Sequence, residues 1–387
     1  MQFGLNAPAN FPDDPKALGE VLLGAVESVR PVLEATAAET LEARTLAPAA
    51  VEAFHESGLF ALKLPRELGG AEADPIVQMD VIEATALIDP SASWSMFITA
   101  AVIGNVGSVL PDEALAELFV DGRVPCMAAT LRPAGQGRRV DGGYRVTGEW
   151  GWGSGIGYAD HVSVLTFADE PETLINALVP LTEVSLQDNW HVMGMQGTGS
   201  CDYAVNDVFV PDLMVTDVLT APQLRGGALY RLGIPGFVVN EHMIFALALA
   251  RRTINELKAL AITKKRGYVG GTTIADRPVV QRLISESELR LRACRLLCDE
   301  VLERLFAAAG DGPPPADLVA EARAVGTLCT DTAIDIVSQA FRHAGGSAVY
   351  LDSVFQHYLR DLYTIQSHFV VSDTSYEEHG QLLLEGG

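Results

Sequence analysis

In the first third of the chain, apolar residues recur at steps of three and four, as in Leu18, Val21, Leu22, Ala25, Val26, Val29 and Leu33, the spacing of one helix face. The pattern runs from about Pro15 to about Ser108. It breaks at Leu46-Ala47-Pro48, at PRELGG (65–70) and at Asp89-Pro90, which predicts several helices joined by short turns. Around Val124 the period changes to two, in the runs RVTGEW, HVSVLTFA, INALVPL and YAVNDVFVP. Gly, Asp and Pro clusters separate these runs, so a β region is predicted to about Pro211. Asp141-Gly142-Gly143 falls between two such runs and predicts a hairpin turn, because glycine accepts the positive φ that the turn requires. Helical spacing returns from about Val238. Asp276 ahead of Pro278 marks a helix start, and Leu318, Ala322, Val325, Cys329, Thr332, Ile336 and Ala340 mark a further long helix after the loop GDGPPP (310–315). The predicted order is an α+β arrangement: helices over 1–122, a β domain over 123–215, and a helical bundle with a C-terminal tail over 216–387. No repeat of fixed period interrupts it.

Composition narrows the classes of function. The chain has 387 residues, 48% hydrophobic and 20% charged, enough apolar material for a large core. Its 50 acidic and 27 basic residues give a formal charge of -23, a field that repels phosphate backbones and anionic membranes, so neither nucleic acid nor membrane is expected as a partner. Local arginines can still hold the phosphate of a small cofactor. Five cysteines, Cys126, Cys201, Cys294, Cys298 and Cys329, are too few and too irregular for a disulfide framework and lack zinc-ligand spacing, which predicts a reducing compartment and no metal. Cys294 and Cys298 share a helix face and read as core filling. MQFGLNAPANFPDDPK has no basic run before an apolar stretch, and no window of about 18 uncharged apolar residues occurs, so a soluble cytoplasmic protein is expected. There is no GxGxxG between strand and helix and no GxxxxGK. Gly153-Ser154-Gly155 lies in β-type sequence without the flanks of a nucleophile elbow.

Six segments, PRELGG, GEWGWGSG, MGMQGTGS, VNDVFVP, GGTTIADRPVVQ and HAGGSAVYLDSVFQHYLRDL, resemble signatures of the acyl-CoA dehydrogenase superfamily and follow in its order. The resemblance implies a helical N-terminal domain, a small central β-barrel or sandwich, a C-terminal four-helix bundle, a bound flavin and a homotetramer. Two residues apart on a strand, Trp152 and Ser154 are expected on one face, with the indole as an apolar wall and the hydroxyl aimed at the flavin edge. Thr130, at the end of CMAAT, resembles the position that meets the pyrimidine side of the ring. Arg266 and Arg342, with Gly345 and Gly346, resemble the positions that hold the cofactor phosphates.

Dehydrogenases of this superfamily need a carboxylate beside the ring to remove a carbon-bound proton. Many carry it in a Tyr-Glu-Gly-Thr run about nine residues after an Arg-Asp pair, and here His368 and Phe369 fall where that Tyr-Glu would stand after Arg360-Asp361. Glu377 and Glu378 lie too far along and read as solvated residues of the tail. RDLYTIQSHFVVSDTSY and VDGGYRVTG resemble instead the two-component (group D) flavin-dependent monooxygenases of the superfamily. This implies an oxygenase that takes FADH2 or FMNH2 from a separate NAD(P)H-dependent flavin reductase and uses O2, through a flavin C4a-hydroperoxide, to hydroxylate an aromatic or polycyclic molecule. His368 would serve as base or oxygen partner and Ser154 would act near flavin N5, while Trp94, Phe97, His242 and Phe369 are expected to line the substrate. Three alternatives stay open. A desaturase could use Glu241 as base, although a glutamate at a helix N-terminus has a plain explanation in the macrodipole. The others are an N- or S-oxygenase and a non-catalytic flavin-binding relative.

Overall fold

A computed structural model describes residues 11–169, 172–265 and 271–385. Its first helices are α1 (Pro15–Ala43), α2 (Pro48–Ser57), α3 (Pro75–Ala86), α4 (Pro90–Val109) and α5 (Asp112–Leu118). Asp14 caps α1 by accepting the Ala17 N–H at 2.9 Å, with proline at the first position, where no N–H is needed. Every helix break expected in this region is present.

Eight strands follow: β1 (Met127–Ala129), β2 (Gln136–Val140), β3 (Gly143–Gly153), β4 (His161–Asp169), β5 (Glu172–Pro180), β6 (Val184–Leu186), β7 (Cys201–Pro211) and β8 (Val215–Asp217). They form one mixed sheet of order β6-β7-β3-β2-β4-β5-β8, with β1 paired to β4. The pairs β1–β4 and β2–β4 are parallel, and the rest are antiparallel. Asp141 and Gly142 form the expected tight turn, closing β2 on β3 with Val140 opposite Gly143 and Gly142 at φ 77°.

The remaining helices are α6 (Ala228–Arg231), α7 (Gly233–Thr263), α8 (Pro278–Ala309), α9 (Ala316–Ala344), α10 (Val354–Ile365) and α11 (Thr374–Glu385). Contacts divide the chain into two compact units. The first holds residues 1–77, 91–191 and 196–230, so α1, α2, α4 and α5 group with the sheet. The second holds residues 78–90, 192–195 and 231–387, where α7, α8, α10 and α11 pack on α9. α7 is buried without interruption from Gly236 to Ala250, as a central helix must be. α8 buries one stripe, including Val280, Leu283, Leu291, Cys294, Cys298, Val301, Leu302 and Leu305. Cys298 Sγ lies 3.4 Å from Cys329 Sγ on α9, inside that core. The segment expected as a solvated tail is α11, where Glu378 forms an ion pair with Arg323. Among the described residues, α4 and α7 are long and apolar enough to cross a membrane, but 78% and 83% of their apolar windows are buried inside the protein.

Candidate active site

The first unit builds a polar constellation where β3 ends. Trp150 is anchored inside, stacked on Tyr203 at 5.9 Å and donating Nε1–H to the Leu165 carbonyl at 2.9 Å. The register against β7 then slips between Trp150 and Gly153, and Trp152 takes a φ of 61°. The slip breaks the alternation assumed from sequence. Trp152 is 61% exposed whereas Ser154 is 9% exposed, so the two side chains do not share a strand face. A left-handed tryptophan costs about 1–2 kcal/mol and persists only where its surroundings hold it. Here its N–H donates to Asp202 Oδ1 at 3.3 Å, and Asn189 holds that carboxylate at 2.7 Å. A large indole kept outward on a constrained backbone suits a ligand wall better than core packing.

Ser154 turns inward. Its hydroxyl accepts Trp94 Nε1–H at 3.2 Å and lies 2.8 Å from Ser200 Oγ, which lies 2.7 Å from Thr198 Oγ1. Thr198, Ser200 and Trp94 are all buried, so this relay holds the Ser154 hydroxyl in one place. Trp94 therefore positions Ser154 and packs its ring 5.0 Å from Phe97, which is fully buried. Thr130 follows β1 half-buried and accepts the Arg132 N–H at 3.4 Å. An exposed indole beside a fixed buried hydroxyl supplies the apolar wall and edge donor that an isoalloxazine ring requires, so these residues fit a flavin.

The second unit builds the other constellation around α7. His368, after α10, caps a short turn by accepting the Val370 N–H on Nδ1 at 3.4 Å. Its ring lies 4.3 Å from that of His242 on α7, at an interplanar angle of 33°, and 5.1 Å from that of Phe369. His242 is buried, and its Nδ1 lies 3.1 Å from the Val238 carbonyl. Loss of hydration holds the His368 imidazole down from 6.5 to about 4, so it is neutral at physiological pH. Phe369 is 46% exposed. Glu241 is fully buried and is not a helix-terminal residue, because α7 begins at Gly233. The macrodipole acts only within the first turn and does not account for it.

Arg360-Asp361 proves to be a clamp. Buried Asp361 accepts the Met195 N–H at 2.6 Å and lies 3.3 Å from His357 Nε2, and a Cβ on Gly194 would come within 2.3 Å of the Arg360 carbonyl oxygen. At the end of α9, Arg342 is exposed and Gly345 has a φ of 77°, followed by Gly346. Lys264 Nζ ties this turn together, reaching the Ala344 carbonyl at 2.5 Å and Ser347 Oγ at 2.6 Å. Arg266 lies outside the described residues. Sequence reasoning missed Ser200, Thr198, Lys264 and the clamp role of Asp361. The paired hydroxyls in MGMQGTGS were the available signal for the first two.

Residues 24–110 match the family model for the acyl-CoA dehydrogenase N-terminal domain, and residues 242–373 match that for the acyl-CoA dehydrogenase C-terminal domain, together more than half of the chain. The chain belongs to the acyl-CoA dehydrogenase superfamily. Within the superfamily it is 28% identical to a pigment production hydroxylase of a Rhodococcus species, over 94% of this chain and 96% of the relative. It is 26% identical to an indole-3-acetate monooxygenase of Pseudomonas putida, over 86% and 85% of the two chains. The fold is that of XiaF from a Streptomyces species, solved with FADH2 and glycerol, with a TM-score of 0.88, 23% identity and 96% of each chain covered. The expected superfamily architecture is thereby borne out, with the central β element present as one mixed sheet.

Proposed function

We propose that this chain is the oxygenase component of a two-component flavin-dependent monooxygenase. It receives FADH2 or FMNH2 from a separate NAD(P)H-dependent reductase and uses O2 to hydroxylate an aromatic or polycyclic small molecule. The observation that carries this reading is the neutral His368, its ring tilted against that of His242 at 4.3 Å, at the place where the superfamily's dehydrogenases carry a carboxylate. When bound, reduced flavin supplies the activation of O2 and delivers one oxygen atom. The protein's own groups bind, orient and move protons. Trp152 forms the wall for the ring, Ser154 holds its hydroxyl at the N5 edge, and Thr130 meets the pyrimidine side. Trp94 and Ser200 keep the Ser154 hydroxyl from rotating away. Arg266, Arg342, Gly345 and Gly346 hold phosphate, while Phe97, His242 and Phe369 contact substrate. His368 manages a proton at the reacting oxygen. The protein works in the cytoplasm as a homotetramer.

The test is a pulse of oxygen-18 gas on the anaerobic protein loaded with reduced flavin and offered a panel of phenols, indoles, amines and sulfur compounds. One labelled oxygen atom in a phenol or indole product is the expected result. Label found only on nitrogen or sulfur would move the assignment to an N- or S-oxygenase. Hydrogen peroxide alone, with flavin never retained, would leave a non-catalytic relative. The complete burial of Glu241 keeps a desaturase as the second reading, and anaerobic bleaching of oxidised bound flavin by an acyl-CoA would establish it.

A further inference from the structure

Three of the five cysteines meet inside the helical bundle. Cys294 and Cys298 lie one turn apart on the buried face of α8, and Cys329 on α9 stands against them, its sulfur 3.4 Å from that of Cys298. Cys298 and Cys329 are fully buried, whereas Cys294 keeps 7% of its surface open. Hydrogen bonds from the Cys329 and Thr332 side chains, helped by the charge of Arg290, outweigh burial and lower the Cys294 thiol from 9.0 to about 6. Cys329 moves the other way, held protonated by its two sulfur neighbours and by burial. Core filling explains the burial of small side chains. It does not explain three thiols gathered around one sulfur, with the ionised one outermost.

We propose that Cys294, Cys298 and Cys329 form a second reactive site, one that reduces hydroperoxides, in which Cys294 meets the oxidant and Cys329 closes a disulfide. In the first step the Cys294 sulfur attacks one oxygen of hydrogen peroxide. The S–O bond forms, the O–O bond breaks, and the hydroxide that leaves takes a proton to become water, so sulfur is oxidised to the sulfenic acid and peroxide is reduced. In the second step the Cys329 sulfur attacks the Cys294 sulfur, the S–O bond breaks, and hydroxide leaves with the Cys329 proton as another water. Two thiols and one peroxide thus give one disulfide and two waters. Cys298, in contact with Cys329, can then exchange onto it, which moves the bridge inward and frees Cys294. A bond between Cys294 and Cys298 is excluded, because residues four apart on a helix hold their Cβ atoms about 5–6 Å apart and a disulfide needs about 4 Å. A small-molecule thiol returns the bridge to thiols. Hydrogen peroxide is what reduced flavin and O2 release when no substrate takes the oxygen, but the site itself needs neither flavin nor aromatic substrate.

The experiment treats the full-length, reduced, flavin-free protein with a small excess of hydrogen peroxide at neutral pH, caps the remaining thiols with N-ethylmaleimide and maps the linkages by peptide mass spectrometry. Expected are the loss of two of the five thiols, a bridge from Cys329 to Cys294 or Cys298, capped Cys126 and Cys201, and recovery of every thiol with dithiothreitol. Cys294→Ser should remove the fast phase of thiol loss. In Cys329→Ser the sulfenic acid has no resolving partner, so dimedone should label Cys294. Alanine variants replace either one if it fails to fold, and the wild-type map stands without them. Five capped thiols, a bridge between Cys294 and Cys298, a bridge through Cys126 or Cys201, dimedone on Cys298, or sulfinic acid at Cys294 in place of a disulfide would each overturn the proposal. Failure of the oxygen-18 test leaves it standing.

Discussion

Acidification tests the burial of His368 through stability. In the folded protein, desolvation holds this imidazole down from 6.5 to about 4. As pH falls, the unfolded chain takes up the proton near 6.5 while the folded chain refuses it until about 4, so protons stabilise the unfolded state. The contribution of the neutral ring is complete above 6.5, erodes as pH falls through the window from 6.5 to about 4, and changes no further below it. Integration across that window gives a loss of about 2 kcal/mol on going from about pH 7 to about pH 5. The ring is only part-buried, and solvent reduces this to about 1–2 kcal/mol.

The assay compares urea midpoints, at constant m, of the wild type and His368→Gln at both pH values. His55, which burial also lowers to about 4, is present in both proteins and cancels. The wild type is expected to lose about 1–2 kcal/mol more than the variant. Parallel losses, or a greater loss in the variant, would refute the claim that the folded state holds His368 neutral.

The relay at the end of β3 predicts coupling. Ser154→Ala removes the acceptor of the Trp94 N–H and costs about 1–3 kcal/mol, whereas adding Trp94→Phe recovers part of that loss, so a double-mutant cycle should show an interaction of about 1 kcal/mol; additivity would count against the relay. With reduced flavin and O2, Ser154→Ala should also raise the fraction of electrons released as hydrogen peroxide, measured with peroxidase, and an unchanged fraction would remove Ser154 from the flavin edge. Asp361→Ala leaves the Met195 N–H without its acceptor and should cost about 3 kcal/mol, with faster amide exchange at Met195. Asp361→Asn keeps an acceptor and should cost less than half as much, so equal losses would deny the clamp.

What the sequence discloses is what repeats locally. Helices α1, α8 and α9 show their buried stripes as a step of three or four, and the β2–β3 turn shows itself in Asp141-Gly142. Where the pattern is uniform the reading loses its edge. α7 is buried on every side, so its start slid from Gly233 to about Val238 and left Glu241 looking terminal. The Trp152–Ser154 pair failed for a different reason, because a bulge inserts a residue without any mark in the hydrophobic pattern. Ser154 and His368 were found through resemblance, since a lone serine or histidine carries no periodic signal. Their partners Ser200 and His242 are distant in the chain and are brought close only by tertiary packing.

That packing also bears on the choice between a carboxylate and an imidazole. Desolvation acts in opposite ways on the two kinds of base. It penalises the anion of a carboxylic acid, which is the form able to abstract a proton, and it penalises the imidazolium, leaving the neutral form that abstracts. The interior of the helical unit is strongly desolvating, with α7 buried from Gly236 to Ala250 and His368 neutral at physiological pH. Glu241, on that helix, has no exposed surface at all. His242, one residue further on, is buried in the same surroundings, and its ring is held through Nδ1, 3.1 Å from the Val238 carbonyl.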